Sequence, residues 1–359
     1  MSALQAESVT ACGFFDRLHE PRVMSCPVEV VMVQIFEALR KNLSRRAPAA
    51  ILLLPLLAAF GGCTASEREP ATVRAVPGLI WDVVGDRGMK QDELARRLSR
   101  AEVVLIGEVH DNPRHHAIEA DLIFALAVTR RHDTVALEMI DREQQAEVEQ
   151  LWREQAGAEA ILAATGFDAR GWGAERYRPV VEAMLEAEVS PLAANLSRAE
   201  AAQVMREGWA AVFDPAMQEV LAIEAAWSEA AAQRLAAALR ESHCNALPEE
   251  MLPGMLAAQR ARDAVMADRV LARRVGGVIL VTGAQHARRD HGVPAYLAAR
   301  APGIEVATLR LVEVDGDRPV ADYLDAGAAF DFVWFTTRAK RADPCEVFRQ
   351  QKAGDSDAD

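Results

Sequence analysis

Four short, continuous apolar runs constrain this chain more than any other feature: EVVLIGE (102–108), DTVALEM (133–139), VSPLAANL (189–196) and GGVILVTG (276–283). Runs of this length without helical periodicity are the mark of strands buried on both faces. IEVATLRLV (304–312) and FDFVWFT (330–336) read as two more strands. Helical signals lie between them. Asn112 and Pro113 supply an N-cap and a first-turn proline, and Ile118, Leu122, Ala125 and Leu126 follow at helical spacing. DREQQAEVEQLWRE follows the second run, Ser197 opens a helix after the third, and residues 293–300 form one after the fourth. Strand and helix in alternation imply an α/β fold with a mostly parallel sheet flanked by helices. Two stretches break the alternation. Residues 143–188 and 198–275 are long, helical and rich in Ala, Glu, Gln and Arg, which implies a smaller, inserted, all-helical subdomain. The α/β domain is expected over 79–345, with a disordered tail over 346–359.

The first 62 residues are of another kind. Arg40, Lys41, Arg45 and Arg46 precede AAILLLPLLAAF (49–60), which is followed by Gly61, Gly62 and Cys63. A basic stretch, a short apolar stretch and small residues describe a secretory signal. At 12 residues the apolar segment is too short to span a bilayer. Small residues directly before cysteine resemble a bacterial lipoprotein cleavage site, which makes Cys63 the lipidated first residue of the mature protein. Phe60 stands where such sites usually carry an aliphatic residue. A polar leader of this length is unusual, so Met32 or Met24 is read as the true start, leaving 1–31 untranslated or disordered. Residues 63–78, with Pro70 and Pro77, read as a tether. The protein is therefore expected to be exported and lipid-anchored, facing the periplasm. Thr64 is not an inner-membrane retention signal, which favours the outer membrane. Export leaves Cys244 and Cys345 as the cysteines of the mature chain; a disulfide between them and two free buried thiols are the alternatives. A net charge of -13 argues against a nucleic-acid partner, since phosphate binding needs a basic surface.

In open parallel sheets ligands bind outside the carboxyl ends of the strands. Three of the four runs lead into ionisable residues there, in GEVHDN, LEM and TGAQH. Residues two apart in an extended segment point the same way. Glu108 and His110 are thus expected to face one pocket, with Glu138 from the neighbouring strand and His286 from farther across. An unpaired Glu138 inside an apolar run would be costly. Two carboxylates and two imidazoles converging from separate loops form a functional constellation. The alternative is a polar network that simply orders the loops. His115 and His116 lie in the first turn after GEVHDNP, where a helix N-terminus favours a carboxylate or phosphate; Arg114, Arg288 and Arg289 add cations nearby. In GFDARGWGAERYRP (166–179), three glycines surround Trp172, and Tyr177 begins a helix as a surface residue or a phenolate ligand to ferric iron.

The phrases LIGEVHDNPRHH, LEMIDREQQ, ANLSRAEA, AQRARDAVMADRV, TGAQHARRDHGVP and DFVWFTTR…RADPC together resemble the ChaN family of haem-associated bacterial lipoproteins, over about 101–345. The resemblance implies the fold derived above. It also implies haem held between two monomers in bacterial haem and iron uptake, and raises an outer-membrane haem receptor as a partner. The family's tyrosine ligand to iron maps best onto Tyr177, with Tyr296 as second choice, and the histidine contact to a propionate onto His116 or His115. The family's lysine has no counterpart here, because Lys90, Lys340 and Lys352 lie outside the motifs; an arginine such as Arg288 must fill that role. More distantly, the chain is similar to the TraB/Tiki and erythromycin-esterase group through Glu108, His110, Glu138 and the Gly283-to-His286 step. That likeness implies the second functional reading, a metal-dependent esterase or peptidase.

Overall fold

The computed structural model describes residues 73–324, 329–343 and 345–346. The expected leader, signal, Cys63, most of the tether and the tail beyond 346 lie outside the described residues. In chain order the elements are β1 (Ile80–Asp82), β2 (Arg87–Met89), α1 (Gln91–Leu98), β3 (Val103–Glu108), α2 (Pro113–Ala127), β4 (Thr134–Asp141), α3 (Gln145–Arg153), α4 (Ala158–Ala164), α5 (Ala174–Glu186), β5 (Ser190–Asn195), α6 (Arg198–Glu207), α7 (Pro215–Val220), α8 (Glu229–Ser242), α9 (Leu252–Arg273), β6 (Val278–Gly283), α10 (Val293–Arg300), β7 (Val306–Glu313) and β8 (Phe332–Thr336). The six expected strands are present. β1 and β2 were not expected, because at three residues each they are too short to show a period.

One sheet holds all eight strands in the order β2-β1-β8-β7-β3-β6-β4-β5. β1 pairs antiparallel with both β2 and β8, and the remaining neighbours are parallel. Every residue of β3 and β6 is buried. Alternate residues of these strands point to opposite faces, so the sheet feeds two cores. Val104, Ile106, Ile279 and Val281 pack with Leu122 of α2 and Val181 of α5 on one face. Val103, Leu105, Val278 and Leu280 pack with Val265 of α9 and Leu297 of α10 on the other.

Helix starts follow local chemistry. Asn112 Oδ1 accepts the backbone N–H of Arg114 at 2.9 Å, ahead of Pro113. Ser197 and Glu200 close a reciprocal capping box on α6. The two long stretches between strands are helical, as α3–α5 and α6–α9. Leu235 and Leu239 of α8 pack with Leu252 of α9 in a small apolar cluster of their own. Just past α8, Cys244 is joined to Cys345 by a disulfide with Cα atoms 5.4 Å apart. The bond ties α8 to the chain beyond β8.

Candidate functional site

The strand order sets the site. β6 runs between β3 and β4, so Glu108 and Glu138 sit on strands separated by one. This corrects the expected arrangement, in which Glu138 came from the strand next to Glu108. Glu108 lies in register with Gly283. A Cβ on Gly283 would stand 2.8 Å from His110 Nε2 and 3.7 Å from Glu138 Oε2. The missing side chain is what lets the His110 ring reach across β6 toward Glu138. Glu138 itself lies where the β4–β5 register shifts between Leu137 and Asp141, an irregularity of the kind found beside functional sites.

Glu108 is buried and uses its two oxygens differently. Oε1 accepts the Tyr177 hydroxyl at 2.6 Å and meets His110 Nδ1 at 3.0 Å. Oε2 stands 2.8 Å from His116 Nε2, without the alignment of a ring N–H hydrogen bond. Burial alone would raise the Glu108 pKa, but the contacts with His110 and His116 hold it well below the usual carboxylate range. Burial would likewise lower His110, and the carboxylates of Glu108 and Glu138 outweigh it, pushing that imidazole up to about 9. Glu119, one helical turn after His116, is fully buried against Glu108; burial and that negative neighbour push its carboxyl well up.

Glu138 anchors the other half. Its Oε2 accepts the Thr282 hydroxyl at 2.5 Å and the Gly283 N–H at 2.7 Å. His286 Nε2 lies 3.5 Å from Oε1, and His110 Nε2 lies 3.9 Å from Oε2. Burial opposes ionisation of Glu138, but the two histidines and the two hydrogen bonds bring it down to about 2. Asp263 on α9 holds His286 Nδ1 at 2.7 Å, which turns Nε2 toward Glu138. Glu138 and Asp263 push the His286 pKa up against its burial. A buried acid–imidazole–acid line of this kind can hold and pass a proton.

Two cavities meet at His286 and Gln259. A polar cleft of about 280 Å³ lies over His110 and Glu138 and is lined by Arg170, Arg198, Arg262, Asn195 and Trp172. Trp172 packs on the His110 ring at 4.8 Å. Arg262 is held by Asn195 Oδ1 at 3.0 Å, and Arg170 by an ion pair with Asp141 and by Gln144 at 3.1 Å. Arg198 adds a third guanidinium, close enough to oppose the charge of Arg262. Beside the cleft is a groove of about 580 Å³, lined by Val109, Leu235, Ala238 and Leu239 with Arg310 and Arg341 at its edge.

The four pocket residues expected from the sequence do come together. Other expected site residues are buried or paired within the protein. Tyr177 is fully buried, hydrogen-bonded to Glu108 and packed on His116 at 4.2 Å; burial and the Glu108 charge push its pKa well up. It therefore offers no exposed phenolate to iron. Tyr296 is also fully buried. His115 is enclosed between the Val109 N–H at 2.9 Å and Thr336 Oγ1 at 2.8 Å, and burial lowers it to about 4. His116 lies against Glu108, and neither histidine is exposed. Arg288 grips Asp290 through two hydrogen bonds of 2.9 Å. The arginines of the cleft took no part in the sequence reading, nor did Asp263 or Glu119. Arg262 and Asp263 sit inside the motif AQRARDAVMADRV, where an Asp one turn before Met266 and Ala267 was the available signal. Glu119 stands three residues after His116, hence on the same helix face.

ChaN of Campylobacter jejuni, solved with haem bound cofacially, is similar to this chain: 22% identity over 71% of this chain and 95% of that one, with a TM-score of 0.59. At that identity the likeness establishes the fold. The erythromycin esterase EreC (14% identity, 73% of this chain and 83% of that one, TM-score 0.39) and the type III effector HopBA1 (15%, 69% and 93%, 0.37) are more remote and carry no argument. No curated protein matches the sequence significantly. The family described as "Haem-binding uptake, Tiki superfamily, ChaN" matches residues 94–297, more than half of the sequence, and the chain belongs to that family.

Proposed function

We propose that this protein binds haem, as an exported, lipid-anchored component of bacterial haem and iron uptake. Family membership is the observation that carries the reading. The cavities at the carboxyl edge of the sheet fit such a ligand. Haem needs an apolar bed, cations for two carboxylates and a donor for iron. The groove supplies Leu235, Ala238, Leu239 and Val109, and the cleft supplies the guanidiniums of Arg170, Arg198 and Arg262. His286 lines both cavities and is steadied by Asp263; deprotonated and with Nε2 turned from Glu138, it would be the iron donor we assign in place of Tyr177. A bound haem would supply its iron centre for storage or transfer, while the chain's own residues position the propionates and exclude water. A disulfide is consistent with export to an oxidising compartment. A second copy across a shared haem and an outer-membrane receptor belong to the same proposal. The test is a hemin titration followed in the Soret region. His286→Ala is expected to change the spectrum and weaken binding, the triple substitution R170A/R198A/R262A to weaken it without changing the ligand bands, and Tyr177→Phe to leave the spectrum unaltered. A spectrum lost in Tyr177→Phe and kept in His286→Ala would overturn the ligand assignment, and no saturable hemin binding at all would overturn the function.

A second reading, a metal-dependent esterase or peptidase, is favoured by one feature: the Asp263–His286–Glu138 line abuts a polar cleft open to solvent. Glu138→Gln activity against ester and peptide panels, compared with wild type, decides it. Equal rates in the two proteins exclude it.

A further inference from the structure

We infer that Glu108, His116 and Glu119 form a buried binding site for a divalent transition-metal ion, separate from the cavities in which haem is placed. The three side chains each present a donor atom, and these atoms lie within 4.8 Å of one another. Their exposures are 2%, 0% and 0%. Glu108 Oε2 and both oxygens of Glu119 lack aligned hydrogen-bond partners, as do the ring nitrogens of His116, whose Nε2 stands 2.8 Å from Glu108 Oε2. Buried polar atoms without partners are uncommon in native proteins, and three neighbouring residues that carry them mark a place where something binds. Two carboxylates and an imidazole form a mixed oxygen–nitrogen set, which suits Zn²⁺, Mn²⁺, Fe²⁺ or Co²⁺ better than the all-oxygen shells of Ca²⁺ and Mg²⁺.

The helix builds the site. His116 and Glu119 stand three apart on α2 and share a face, and β3 brings Glu108 onto that face from its carboxyl end. The ion would touch Glu108 Oε2, while Oε1 faces Tyr177 and His110. One carboxylate thus separates the ion from the cleft, and loading the site would fix the rotamer of Glu108 and with it the His110 ring. A proton shared between Glu108 and Glu119, or an ordered water, is the rival occupant. Enclosure at these exposures implies that the ion enters while the chain folds and then exchanges slowly.

The experiment uses full-length protein expressed in medium supplemented with Zn²⁺, Mn²⁺ or Co²⁺, then dialysed against a chelator. Elemental analysis gives bound metal, and the visible d–d bands of Co²⁺ give the ligand set. Wild type and His286→Ala are expected to retain a single chelator-resistant ion. Glu119→Gln, which keeps shape and removes the charge, is expected to lose it, and so is Glu119→Met if the first variant folds poorly. Wild type free of retained metal, or Glu119→Gln retaining as much as wild type, overturns the proposal. Loss in His286→Ala with retention in Glu119→Gln overturns it too, by moving the ion to the outer pocket.

Discussion

Removing one oxygen separates the two roles that Tyr177 can have. In the structure its hydroxyl donates to an ionised, buried carboxylate at 2.6 Å, and its ring is fully enclosed between Phe167 and His116. Tyr177→Phe keeps the ring, so it leaves no cavity; what it removes is a hydrogen bond to a charged group. Such a bond contributes about 1.5–3 kcal/mol. Glu108 keeps its contact with His110, which places the loss toward the lower end, about 2 kcal/mol. In a domain of this size each kcal/mol moves the melting temperature by about 2–4 °C, so a fall of roughly 4–8 °C is expected by calorimetry. The hemin spectrum should not change, because the hydroxyl faces inward. An unchanged melting temperature together with a lost iron–ligand band would refute the reasoning: Tyr177 would then act at the ligand and not beneath it.

Other consequences follow from single contacts. Reducing Cys244–Cys345, or changing Cys345 to Ala, opens a bridge across 101 residues and is expected to cost about 4.7 kcal/mol on loop entropy alone, read as a lower urea midpoint. Gly283→Ala would bring a methyl to 2.8 Å from His110 Nε2, a side-chain atom able to move; the fold should survive, with His110 swung off Glu138 and hemin binding altered. His132 is buried with Nε2 at 3.0 Å from the Ala101 carbonyl, and burial lowers its pKa. Its neutral form is the folded one, so its contribution is present above the unfolded value of about 6.5 and is lost as pH falls below it, when the unfolded chain takes up a proton first. Wild-type stability should therefore fall more steeply below neutral pH than that of His132→Gln in paired urea titrations.

Strands announced themselves because a fully buried strand needs an unbroken apolar run, as in residues 103–108 and 278–283. Pocket residues were legible for a related reason: a glutamate at the end of such a run, or inside it as at Glu138, must have partners. Depth was not legible. Period places Tyr177, His115 and His116 on a helix face, but which face looks to solvent depends on α5 packing against α2, a contact between segments far apart in sequence. All three prove to be fully buried, Tyr177 and His116 against Glu108. The order of β3, β6 and β4 was hidden for the same reason, since chain order says nothing about which strand lies between two others. Arg170, Arg198 and Arg262 were passed over because arginine is usually a surface residue. They come from a loop and two helices, and the fold alone brings them to one cleft.

Glu119 distinguishes a cluster kept for function from one kept to hold the fold together. A carboxyl buried without a partner costs about 1–3 kcal/mol relative to a group that needs none. Its neighbours on α2, Ile118, Leu122 and Ile123, belong to the apolar core. A methionine of similar reach should pack among them without strain. Glu119→Met is therefore expected to raise the melting temperature of metal-free protein by several degrees, with the added stability confirmed by a higher urea midpoint at unchanged slope. If the network served to order the loops, the same change would lower the melting temperature, because it would remove a member of that network. Proteins commonly retain such destabilising groups where a site needs them. A more stable Glu119→Met that no longer holds metal would show that Glu119 is kept at the expense of the fold, for an ion that sits behind Glu108. A less stable one would return Glu108, His116 and Glu119 to the scaffold and leave Glu138, His286 and Asp263 as the part of the pocket with chemistry to do.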